Sequence, residues 1–147
     1  MLYEIGQLDR WFMAGQPPAA VDVTSPEAAF EMTQGLPWMD DRESAWVLHL
    51  DNKHRLLGRE LVSVGSVSQT FMAPREIFRL ALLQGAVAVV VAHNHPSGDP
   101  EPSEDDRLLT SRLGRSGKLV GVEVLDHLIV GAPATDAWVS MARRGRL

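Results

Sequence analysis

The sequence predicts an α/β fold, a mixed central β-sheet flanked by helices, and three observations carry the prediction. Apolar patterns follow the order helix, strand, strand, helix, strand, helix, strand, which suits a sheet with helices packed on it. The run AVAVVVA, residues 86–92, is continuously apolar and rich in β-branched residues, as a central strand covered on both faces must be. A chain of 147 residues suffices for one domain with its own core and is too short for two full ones.

Taken in order, residues 1–20 end in GQPPAA and show little periodicity, so they read as an N-terminal extension of unknown role ahead of a domain over residues 21–147. TSPEAAFEMTQG then opens a short helix. Ser25 is placed to cap it, Pro26 takes the first helical position, Glu27 sits in the first turn and Gly35 lies beyond the end. SAWVLHLD and RLLGRELVSVGS read as two strands joined by the polar turn DNKH. In APREIFRLALLQG, Pro74 starts a helix with Ile77, Leu80, Ala81 and Gln84 along one side, and Gly85 stops it. The central strand leads into a loop of proline and acid, then a helix of about a dozen residues from Glu104 that stops at RSGK, residues 115–118. The strand GVEVLDHLIVG, residues 121–131, completes the order.

Composition excludes several function classes. The longest apolar run, Gly85 to Ala92, falls far short of the roughly 20 residues needed to cross a membrane. MLYEIGQLDRWF lacks both a basic start before an apolar stretch and a small-residue cleavage site, so the cytoplasm is the expected compartment. With no cysteine, disulfides, thiolate zinc sites, iron–sulfur clusters and cysteine nucleophiles are all excluded, and any metal must be held by His, Asp or Glu. A net charge of −5 gives no attraction toward phosphate backbones, so direct nucleic-acid binding is not expected. Arg143, Arg144 and Arg146 near the C-terminus read as solvated surface.

The chemistry concentrates in VAHNHPSGDPEPSEDD, residues 91–106. In an extended chain, side chains two apart share a face, so His93 and His95 would aim both imidazoles at one point while Asn94 faces away. Ser103 stands where a helix N-cap belongs, and Asp106 falls in that helix's first turn, able to swing back toward the strand end. The same Ser103 and Asp106 also fit a capping-box-like pattern with no chemistry attached. Two imidazoles and one carboxylate would leave the fourth tetrahedral position of zinc open, the arrangement of a catalytic site.

His-x-His, seven residues, then Ser-x-x-Asp is the JAMM signature, and HNHPSGDPEPSEDD reproduces its spacing. The chain resembles the JAB/MPN metalloproteases and, within them, the RadC-like branch, through LDNKHRLLG, PREIFRLAL, HNHPSGDPEPSEDD, VLDHLIVG and WVSMARRGRL in the same order. The resemblance covers Val21 to Leu147 and does not include the helix-hairpin-helix region that full-length members carry, which weakens an inherited role on DNA. It implies the cytidine-deaminase-like architecture of JAB/MPN domains and Zn2+ held by His93, His95 and Asp106. It further implies Ser103 as hydrogen-bond donor to a developing oxyanion and an upstream glutamate as general base. Glu43 in DDRESAWVLHLD matches that glutamate, with Glu60 in GRELVSV as second candidate. The implied reaction is zinc-dependent hydrolysis of a peptide or isopeptide bond in an unidentified protein or peptide substrate. The competing class is a non-catalytic interaction module associated with DNA-repair or mobile-element proteins. Whether the chain forms a homo-oligomer is left open.

Remaining signals receive plainer readings. Of the neighbours Asp126 and His127 only one can face the site, and a buried structural hydrogen bond is favoured over a role behind a zinc-bound imidazole. His49 is assigned to the polar face of the sheet, and His54 to the surface of a turn. Trp11, Trp38, Trp46 and Trp138 follow no basic stripe and read as packing residues. GRSGKL lacks the glycine spacing and hydroxyl of a phosphate loop and is read as a helix C-cap.

Overall fold

The computed structural model describes residues 21–65, 72–132 and 136–147; the N-terminal twenty, with Trp11, lie outside the described residues. Helix α1 spans Pro26–Glu31, followed by strands β1 (Glu43–Leu50) and β2 (Leu56–Gly65), helix α2 (Pro74–Leu83) and strand β3 (Ala88–Asn94). Helix α3 (Glu104–Val120), strand β4 (Glu123–Val130) and the short strand β5 (Trp138–Ser140) complete it. The five strands form one sheet in the order β2-β1-β3-β4-β5, with β3 and β4 parallel and the other pairs antiparallel. The predicted α/β class with a mixed central sheet is therefore the observed one.

Local chemistry explains the early elements. The Ser25 hydroxyl accepts from the Ala28 amide at 3.1 Å and Pro26 opens α1. The β1–β2 turn is held by Asp51, whose Oδ1 accepts from the amides of Lys53 and Arg55, while half-buried His54 takes a left-handed conformation with φ 58°. Every residue of β3 is buried. On one face Val89 and Val91 pack with Ile77, Phe78 and Ala81 of α2 and Leu113 of α3. On the other, Val90 and Ala92 pack with Ala29 of α1 and with Leu48, Leu50 and Leu128. Three of the tryptophans do pack as expected. Trp46 is buried and meets Trp38 edge-on, and Trp138 stacks on Phe30 with centroids 4.9 Å apart. Among the described residues no helix is long and apolar enough to cross a membrane.

Two expectations need correction. Helix α3 does not stop at RSGK; it runs 17 residues, straight through Gly117, and ends at Gly121, which adopts φ 76° as its left-handed cap. Gly117 serves packing instead of termination: a Cβ there would collide with the Val122 carbonyl oxygen and press on Val124 and Phe78. Gly117→Ala should accordingly lower stability by about 1 to 3 kcal/mol in denaturant unfolding, although alanine is the better helix former by about 1 kcal/mol. Strand β5 was not foreseen, because three residues are too few to show periodicity. The arginines near the C-terminus are exposed as expected, and two of them are paired: Arg143 with Glu27 and 5.6 Å above the Trp138 ring, Arg144 with Glu101 at 3.1 and 3.2 Å. Such exposed pairs contribute little stability.

Candidate metal centre

The C-terminal end of β3 brings together the residues that the sequence singled out. His93 Nε2 lies 3.1 Å from His95 Nε2, and Asp106 reaches both, with Oδ1 3.2 Å from His93 Nε2 and Oδ2 3.1 Å from His95 Nε2. Ligand atoms about 2.0 to 2.1 Å from a tetrahedral zinc ion stand roughly 3.3 Å apart, so these three groups are already spaced as neighbouring vertices of such a site.

Tautomers point the same way. Thr110 Oγ1 donates to the Asp106 carbonyl at 2.7 Å, which leaves it to accept from His127 Nδ1, also at 2.7 Å. His127 Nε2 is then the acceptor for His93 Nδ1–H at 2.8 Å, and the His93 Nε2 lone pair is left facing His95 and Asp106. His95 reaches the same state by donating from Nδ1 to the Asp99 carbonyl at 2.8 Å. Full burial pushes the His127 pKa down to about 3, so this ring stays neutral and keeps both roles in the chain. Lone pairs converging on one point with a carboxylate are a donor set suited to a divalent cation.

Asp106 is held by the helix it starts. Its Oδ2 accepts from the Ser103 amide at 2.8 Å while Ser103 Oγ accepts from the Asp106 amide at 3.1 Å, a reciprocal capping box. The structural and functional readings of this pair thus coincide: the cap orients the carboxylate toward the imidazoles. Burial works to raise the Asp106 pKa, but when the imidazoles also carry a proton on Nε2 their hydrogen bonds outweigh it and hold the carboxyl well below its usual range. For His95, burial works to lower the pKa, and the bonds to Asp106 and Asp99 with the nearby Asp106 and Glu43 charges leave it raised. Ser103 itself is exposed, and its hydroxyl spends its acceptor side on the cap.

The two glutamate candidates part company. Residue Glu43 opens β1, whose antiparallel register pairs Ala45 with His93, so continuing the alternation puts Glu43 on the imidazole face. Its carboxylate lies within 4.8 Å of ligand atoms of His93 and His95. Asp106 touches both imidazoles at 3.1 and 3.2 Å, and Glu43 forms with His93 and His95 a set of groups close enough to hold an ion, so the imidazole pair has a carboxylate available on either side. By contrast, Glu60 is fully buried in β2, where it accepts from Gln84 Nε2 at 3.0 Å and lies 3.2 Å from His49 Nε2. Both the second-choice base and the assignment of His49 to a polar face of the sheet are therefore corrected: the two residues form a fully buried pair beside Gln84 at the end of α2.

Asp126 and His127 take different partners. Leu125 is left without a partner where Val89 pairs with Val124 and Val90 with Asp126, a bulge that resets the alternation. Consequently His127 shares the α2–α3 face with Val124 and reaches His93. Asp126 instead accepts from Ser140 Oγ at 2.6 Å and the Ala142 amide at 3.0 Å, stapling the C-terminal segment to β4. The expected buried hydrogen bond is thus found at both residues, and His127 in addition reaches His93.

Residues 23–146 match the family described as the RadC-like JAB domain. The chain belongs to that family. Similar proteins bear the name UPF0758, which states no activity. One from Symbiobacterium thermophilum is 40% identical over 131 residues, covering 89% of this chain and 55% of the relative. One from Desulforudis audaxviator is 45% identical over 109 residues, covering 74% and 47%. A third, from Trichodesmium erythraeum, is 37% identical and covers 95% and 60%. The chain spans about half the length of the curated relatives it matches. Two residues of this RadC-like JAB domain escaped the sequence reading. Thr110 could have been found as the residue one helical turn after Asp106, on the same face. Asn94 was set aside because it points away from the imidazoles.

Proposed function

We propose that this RadC-like JAB domain is a zinc-dependent hydrolase that cleaves a peptide or isopeptide bond in a protein substrate. The observation that supports it best is the convergence of His93 Nε2, His95 Nε2 and the Asp106 carboxylate at 3.1 to 3.2 Å, with both Nδ1 atoms committed elsewhere. These three side chains would hold the ion. Zinc, when bound, supplies Lewis acidity that lowers the pKa of water toward about 7 and polarises a carbonyl. Glu43, within 4.8 Å of the imidazole ligand atoms, takes the proton from the attacking water and returns it to the leaving nitrogen. Ser103 turns its hydroxyl hydrogen to the carbonyl oxygen as negative charge grows there; losing one such donor typically costs about 3 to 4 kcal/mol of barrier. Asp106 is kept ionised chiefly by the two imidazoles, with the Ser103 amide of the cap adding to them.

Elemental analysis of the purified protein tests the reading, with a single bound zinc ion per chain as the expected result and a metal-free protein after zinc-supplemented growth as the contrary one. The hydrogen-bond chain behind His93 gives a graded prediction. His127→Phe removes the acceptor that fixes the His93 tautomer and should weaken zinc binding by about 10- to 100-fold in a competition titration. Thr110→Val, one bond further back, should weaken it less.

A further inference from the structure

We propose that Asn94 is the positioning residue that sets where Glu43 stands relative to the two imidazoles; this rests on the reading of Glu43 as the base. The Glu43 carboxylate has no hydrogen bond of its own among the described residues, so its place depends on its backbone. On the β2 side that backbone is held by the pairing of Glu43 with Gly65. On the β3 side the ladder ends at Ala45 and His93, two residues short of it. The Asn94 side chain takes over there. Its Oδ1 accepts from the Ser44 amide at 2.7 Å and the Ser44 hydroxyl at 2.9 Å, and its Nδ2 donates to the carbonyls of Arg42 at 3.1 Å and Met39 at 2.8 Å. The amide therefore grips the residue before Glu43 and the residue after it.

Those four bonds use both donors and both lone pairs of a side chain that is only 4% exposed. They also specify an amide. Reversed, the NH2 would face the Ser44 amide; replaced by a carboxylate, an oxygen would face two carbonyls. Asn94 lies between His93 and His95, and alternation sends it to the opposite face. One peptide link on either side thus connects the clamp on the Glu43 strand to each imidazole, so the separation between base and ligand pair is set within three consecutive residues.

Amide exchange by NMR, together with the visible spectrum of the cobalt(II)-loaded protein followed against pH, tests this without a substrate. With Asn94→Ala, exchange at the Ser44 amide should accelerate about tenfold or more while Val47 and Leu48 keep their protection. Cobalt should still bind, and the spectral midpoint should move at least half as far as Glu43→Gln moves it. Should the alanine variant fold poorly, Asn94→Ser is a neutral change that can still bond Ser44 while losing the grip on the Met39 and Arg42 carbonyls, and it should shift the midpoint in the same direction. Midpoints equal to that of the unmodified protein in the Asn94 variants, with Glu43→Gln shifted, would overturn the positioning role alone. A midpoint that Glu43→Gln itself leaves unmoved would overturn the base reading, and the positioning role with it.

Discussion

Glu43→Gln leaves the zinc content unchanged and lowers turnover by about 10²- to 10⁴-fold, the range a positioned general base contributes. Glutamine matches glutamate in shape but cannot take a proton at neutral pH. Because the carboxylate has no hydrogen bond among the described residues, the neutral side chain strands no buried partner and the fold is expected to persist. Zinc is measured by elemental analysis. Turnover is read by comparative proteomics of cells carrying either version, in which an uncleaved substrate accumulates only with the glutamine variant. Indistinguishable proteomes from the two would remove Glu43 from the chemistry. Glu60 could not inherit the role, being fully buried and engaged by Gln84. Full zinc content with no cleavage by either protein would favour an interaction module that keeps the metal for its fold.

His95→Ala and Asp106→Asn each reduce zinc affinity by more than the roughly 100-fold that loss of an outer partner can cause, since each removes a group that would touch the ion. The two variants fail for different reasons. Alanine deletes a nitrogen donor, whereas asparagine can still accept from the Ser103 amide and so preserve much of the cap while removing the charge. A ligand present at 100 times its dissociation constant stabilises the folded state by about 2.7 kcal/mol, or roughly 5 to 10 °C in Tm for a domain of this size. A strong chelator should therefore lower the Tm of the unmodified protein by that amount and leave the Tm of both variants unmoved. Retention of full metal by both would contradict the ligand set.

Much of the candidate centre was legible because it is local. Alternation alone aims His93 and His95 to one side, and the capping preference of Ser103 with Asp106 three residues later places a carboxylate at the start of α3. All of this lies within residues 93–106, where spacing and geometry are nearly the same statement. The helix end was misjudged for the opposite reason. Glycine in RSGK carries a local breaker signal, and contact with Val122, invisible in the local pattern, overrides it.

By itself, then, the sequence determined the α/β class, the order of the main elements, the absence of thiolate chemistry and the convergence of two imidazoles with one carboxylate. Only the tertiary structure set Glu43 on the imidazole face and buried Glu60 away from it, through the register that pairs Ala45 with His93. It alone turned His127 toward His93, through the unpaired Leu125, and recruited Asn94 to hold Ser44, fifty positions away. The physical reason is that caps and alternation are energies between near neighbours in the chain. Register and bulges instead minimise the packing energy of a whole sheet, and a shift of one residue reverses every side chain.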